Sequence, residues 1–209
     1  MSGDFHKPTR LPNEVFDYFE GAEDPAQVSR VAHDTAAALL ARVRENPAQD
    51  VVDRLVAFTD VHGIDTVAEL WARSGPHTLP GALWRIYLLR LAIRQNPTEA
   101  AFAFQRGVDE LSGIDPVIAG APNPAGPDEV TELADRILRG IFVGDFADAL
   151  ERAAAFCRIT ASGATSLADD YEHTEPQRAT ELTTRALRYS TTAGELATCA
   201  HLWRSDQLD

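Results

Sequence analysis

Three times the chain repeats one four-residue arrangement: Asp24-Pro25-Ala26-Gln27, Asn46-Pro47-Ala48-Gln49 and Asn96-Pro97-Thr98-Glu99. Each supplies a side-chain oxygen for orphan backbone amides, a proline whose fixed φ suits the first helical position, and a Glu or Gln that reaches back. Thr174-Glu175-Pro176-Gln177 varies the pattern, and Gly126-Pro127-Asp128-Glu129 sets acids where a helix dipole favours them. Downstream of these starts the residues carry helical periodicity: Val28, Val31, Thr35, Leu39 and Val43, then Val130, Leu133, Ile137, Leu138 and Ile141. Strand signals are nearly absent, since the run "GIFVG" is too short to alternate and no hairpin dipeptide joins two β-branched runs.

The chain therefore reads as all-α. Helices are predicted near 25–45, 48–61, 65–73, 80–95, 98–111, 128–141, 146–170 and 175–203. About eight helices then form one domain around a central apolar helix, 80–95. Residues 1–24 read as an N-terminal arm and 25–209 as the helical domain. The Pro/Gly-rich loop 113–127 is the one candidate subdomain break, and the helices after it have too little core to stand alone. "ASGATS", Ala161 to Ser166, is read as softening a helix midway, and Gly194 as a candidate break in the last one.

The central helix raises the functional question. In "LPGALWRIYLLRLAIRQNP", Leu79 to Pro97, apolar residues point in almost every direction around the axis, as expected of a helix surrounded by others. Yet Arg85, Arg90 and Arg94 lie among them. From Leu70 to Thr98 the chain carries these arginines and Arg73, with no Asp or Glu, inside a protein of net charge -13. The loop "RSGPHTLPG" adds Ser74, His77 and a helix N-terminus, and guanidinium forks suit carboxylate or phosphate. Either the protein's own acids dock on this helix, with Asp53, Glu69, Glu132 and Asp135 as candidates, or an external anion does. The second case names Arg73, His77, Trp84, Arg85, Tyr87, Arg90 and Arg94 as a ligand site. The first case is the expected one, because buried charges are normally paired within a fold.

The other constellations carry less. Asp169 and His173 are spaced one helical turn apart and could give two metal ligands on one face, although a real site needs three or four. There is no HExxH, no GxSxG, no Walker-type loop and no GxGxxG, so an enzyme or a cofactor finds no support in local motifs. Cys157 and Cys199 sit in helical, alanine-rich contexts without metal spacing, which predicts buried thiols in a reducing cytoplasm. Tyr189, Leu196 and Trp203 share a region of the last helix and are read as an interface for self-association.

With 32 acidic against 19 basic residues, the surface repels duplexes and anionic membranes. No window approaches the ~20 apolar residues of a membrane span, and the N-terminus lacks the apolar run of a secretory signal. These readings converge on a cytoplasmic, non-enzymatic helical interaction or regulatory protein that pairs with itself as a homodimer or with another protein. The alternative is a small-molecule or anion-binding protein centred on residues 73–94. A metal-dependent helical enzyme comes third.

Overall fold

The computed structural model describes residues 24–45, 70–111, 115–120, 122 and 124–209. Among these residues there is no strand, and the helices form a single packed domain. In chain order they are α1 (Pro25–Glu45), α2 (Leu79–Gln95), α3 (Pro97–Glu110), α4 (Asp115–Ala119), α5 (Pro127–Phe142), α6 (Phe146–Tyr171) and α7 (Pro176–Arg204). The arm and the predicted helix 48–61 lie outside the described residues. So does 65–73 except for its end, where Leu70 and Trp71 are helical.

Of the predicted starts, those at Asp24 and Asn96 carry the side-chain cap, whereas those of α5 and α7 begin at Gly126 and Glu175 without one, and Asn46 lies outside the described residues. Asp24 Oδ1 accepts from the Ala26 amide at 3.0 Å, and Asn96 Oδ1 from Glu99 at 3.2 Å. Asn96 Nδ2 also donates to Glu99 Oε2 at 2.7 Å, tying the cap to the first turn. Asp145 does the same for α6, taking the Asp148 amide at 3.1 Å. Prolines occupy the first turn of α2, α3, α5 and α7.

Two helices share the centre. Helix α2 touches α1, α3, α5, α6 and α7, and α6 touches α2, α3, α4, α5 and α7. The long pair α6 and α7, joined by a short turn, forms an antiparallel hairpin. Small residues along α6 (Ala147, Ala153, Ala154, Ala161 and Ala164) are buried and let its neighbours come close. Helix α3 comes closest of all. A Cβ at Gly107 would stand 1.8 Å from the Ile159 carbonyl oxygen, and one at Gly163 would stand 1.8 Å from that of Ala103. Backbone meets backbone there, with Phe104 and Phe156 stacked beside the contact at 4.9 Å between ring centres. The "ASGATS" segment is therefore a tight joint and not a soft point, because Gly163 is the residue that admits α3.

Helix α5 buries the predicted stripe: Val130, Leu133, Ile137, Leu138 and Ile141. Helix α1 differs by one position. Its buried residues are Ala32, Ala36 and Leu40, whereas Val31 is exposed. The small alanines bring α1 against α2, and the Thr35 hydroxyl accepts from Trp71 Nε1 at 3.2 Å. The Pro/Gly-rich loop contains the short α4, which sequence periodicity does not announce. Arg158 holds Asp115 at 2.5 Å, Gln105 Oε1 accepts from the Ala125 amide at 3.0 Å, and Arg136 donates to the Gly120 carbonyl at 3.2 Å. The helices on either side of this loop pack on one another around one core. Gly194 does not break α7, which runs on to Arg204.

The two kinds of glycine make opposite predictions. Gly163→Ala forces a Cβ into a carbonyl and should lower unfolding stability by about 1–3 kcal/mol. Gly194, with nothing within 4 Å of a built Cβ, is a helix-interior glycine in open space. Gly194→Ala should raise stability by about 0.5–1 kcal/mol. Urea denaturation of both variants checks the pair of signs.

Candidate functional site

The arginines of α2 meet the protein's own carboxylates. Arg90, only 5% exposed, donates from Nε to Asp135 Oδ1 at 2.7 Å. Arg94 reaches the other oxygen of the same carboxylate at 3.5 Å. Arg85 turns the opposite way, pairing with Glu195 on α7 and donating from Nη1 to the Gly81 carbonyl at 3.0 Å. Asp135 is one of the acids expected from the sequence; Glu195 is not. Asp53 and Glu69 lie outside the described residues. Tyr87 is buried beside Trp71, at 6.0 Å between ring centres. Burial pushes its phenol up to about 12, with Arg90 acting in the other direction.

The loop that precedes α2 is occupied by internal bonds. Thr78 Oγ1 takes the Gly81 amide at 3.2 Å, the Thr78 carbonyl takes Ala82 at 2.8 Å, and the Asp209 backbone oxygen takes Leu79 at 2.8 Å. The Cys199 thiol donates to the Pro76 carbonyl at 3.3 Å. A Cβ on Gly81 would lie 1.9 Å from the Gly75 oxygen, so the loop folds back tightly on the helix it starts. Arg73 and His77 are exposed. Trp84 is partly buried against the core. The residues of the 73–94 set thus do not converge: Arg90 and Arg94 face α5, Arg85 faces α7, and the Leu79, Gly81 and Ala82 amides at the helix N-terminus already have acceptors.

Asp169 and His173 are both exposed, and His173 lies past the end of α6. Among the described residues no group of three or more His, Cys, Asp or Glu could hold a metal. The three residues read as an interface are built into the protomer. Leu196 is fully buried, Tyr189 packs against the core, and Trp203 lies on Phe146 at 4.6 Å between ring centres. Burial pushes the Tyr189 phenol up to about 12. Both cysteines are buried and unpaired, and burial pushes their thiols up to about 12 at Cys157 and about 11 at Cys199.

What the helices do leave open is a groove of about 800 Å³ between α2, the start of α3 and α7. Leu88, Leu89 and Ala92 form one wall; Leu187 and Tyr189 stand on the other; Ala103 and Thr160 lie between them. The Thr160 hydroxyl is already engaged with the Phe156 carbonyl at 2.9 Å, which leaves the floor apolar. Leu88 is 41% exposed and Leu187 68%. Arginines stand around this apolar surface: Arg85 held by Glu195, Arg185 held by Glu99 at 2.6 Å, and Arg188. No family model, curated protein or solved structure matches the chain.

Arg85 and Tyr189, named from sequence for two different reasons, come together in this groove. Leu88, Leu187, Glu99, Arg185 and Arg188 are not foreseen there. One signal was present: the buried residues of α7 include Ala179, Leu182, Ala186, Ala193 and Leu196, and Leu187 is an apolar residue outside that stripe, in the polar run "LRYSTT".

If Arg90 is a structural partner of Asp135, removing it leaves a half-buried carboxylate with only Arg94. Arg90→Ala should then lower unfolding stability by about 3 kcal/mol. Arg73→Ala should change it by no more than about 0.5 kcal/mol. Chemical denaturation of the two variants side by side separates a structural arginine from a surface one.

Proposed function

We propose that this chain is a non-enzymatic interaction module that docks another protein in the groove between α2 and α7. The observation that carries the reading is the exposure of Leu88 and Leu187 on facing walls of an apolar groove. Apolar side chains at such a site are unfavourable in water and gain on being covered, by roughly 25 cal/mol for each Å² buried. The partner is a different protein and not a second copy. Leu196 and Trp203, which suggested self-association, serve the protomer's own packing, and two chains of charge -13 repel. The working compartment is a reducing cytoplasm, in keeping with two buried, unpaired thiols and with the absence, among the described residues, of a helix long and apolar enough to cross a membrane.

The anion-binding reading is weaker. Its cations Arg85, Arg90 and Arg94 already hold carboxylates, and the Leu79, Gly81 and Ala82 amides at the start of α2 already have acceptors.

The test is quantitative capture from a lysate of the source organism by the full chain and by two variants, Leu88→Asp and Leu187→Asp. Both positions are exposed enough for the variants to fold, which circular dichroism verifies. A partner retained by the wild type and lost from both variants is expected. Equal recovery by all three chains, or nothing retained by any, contradicts the proposal.

A further inference from the structure

The groove has a direction, a length and a charge pattern, and together these define its partner more closely. On α2 the lining runs from Arg85 through Leu88, Leu89 and Ala92 to Gln95. Steps of three and four residues trace one stripe of the helix, about 15 Å long at the usual rise. On α7 the lining runs from Arg185 to Thr192, about 10 Å along the opposite wall. The lining thus covers about three turns of α2 and two of α7, and an apolar helix face presents anchors at the spacing that fits such a surface.

The exposed leucines favour a helix over a small amphiphile. A small ligand seated on the floor at Ala103 would leave Leu88 and Leu187 largely in water. A helix is about 10 Å across and can present apolar side chains to both walls.

The charge pattern adds a sign. Two of the groove arginines are neutralised within the protein, Arg85 by Glu195 and Arg185 by Glu99. Arg188 is exposed and has no ion pair among the described residues, and it lies one turn along α7 from Arg185. The groove therefore carries a local positive charge on a protein of net charge -13. We propose that the partner is an amphipathic helix of about three turns, with apolar residues at i, i+3 or i+4, and i+7, and a carboxylate that pairs with Arg188. This rests on the docking function proposed above and adds the partner's secondary structure and charge. The prediction is sharp because net charge alone would select basic partners.

The probe is a library of 14-residue helical peptides with leucines fixed at that spacing and every other position drawn from Glu, Lys and Gln. It is panned against the immobilised full chain, and enriched peptides are then measured by fluorescence anisotropy. Enriched peptides should carry Glu at one fixed position relative to the leucine stripe. Their affinity should fall about fivefold against the Arg188→Glu protein and recover when that Glu is exchanged for Lys. Leu187→Asp should abolish binding, with the circular dichroism spectrum unchanged. Enrichment of Lys throughout, or affinities indifferent to Arg188→Glu, overturns the carboxylate pairing while leaving the docking function in place. Binding that survives Leu187→Asp, or a library that yields no binder, overturns both. A dimer in sedimentation equilibrium that Leu187→Asp dissociates assigns the groove to a second copy and likewise overturns the proposal.

Discussion

The contact on which the domain depends is the one where α3 lies directly on α6. Glycine at 107 and 163 removes the side chains that would otherwise hold the two backbones apart. Close approach of this kind maximises dispersion contacts and permits weak Cα–H···O interactions between helices. It also fixes the position of Ala103 and Thr160 between the walls of the groove. With α7 packed on α6 and α2 in contact with both, the groove is what remains after the tight contacts are made. Its floor, Ala103 and Thr160, is itself part of the buried interior, so a docking partner would meet side chains that are already packed.

The paired arginines on α2 answer a different need. A helix packed on five neighbours buries most of its surface, so a charge on a packed side, as at Arg90, must find a partner inside the fold. Asp135 and Glu195 meet that need from two directions, α5 and α7. Each pair fixes the rotation of α2 relative to a neighbour, because a guanidinium fork is far more directional than an apolar contact. An apolar helix with no such pins could turn about its axis at little cost. The arginines thus specify which face of α2 looks into the groove, and that face is the one bearing Leu88 and Ala92.

Most of the helical architecture was legible because it is written locally. A capping side chain, a proline and a following acid act on the residues beside them, so the starts at Pro25, Pro97, Pro127 and Pro176 could be read directly. The short α4 could not, since five residues carry no periodicity and it is held by distant groups, Arg158 above all. The role of Gly163 was hidden for the same reason. A glycine that softens a helix and a glycine that admits another helix are identical in sequence, and only the neighbour distinguishes them. Pairing of the arginines was anticipated in kind, and Asp135 by name, but Glu195 lies far along the chain where no spacing rule reaches. The groove was illegible as a whole. It is a property of three helices at once, and its key residues, Leu187 and Arg188, stand on the face of α7 that a core-seeking periodicity assigns to solvent.

The central claim is that a rigid α3–α6–α7 core presents the α2–α7 groove to a partner helix. Hydrogen exchange of the full chain, alone and with the partner that lysate capture retains, tests both halves at once. The account predicts that amides of α6 around Ala154–Gly163 exchange slowest in either state, and that binding adds protection along 85–96 and 185–192. Rapid exchange in that part of α6, or new protection confined to other segments, would contradict it.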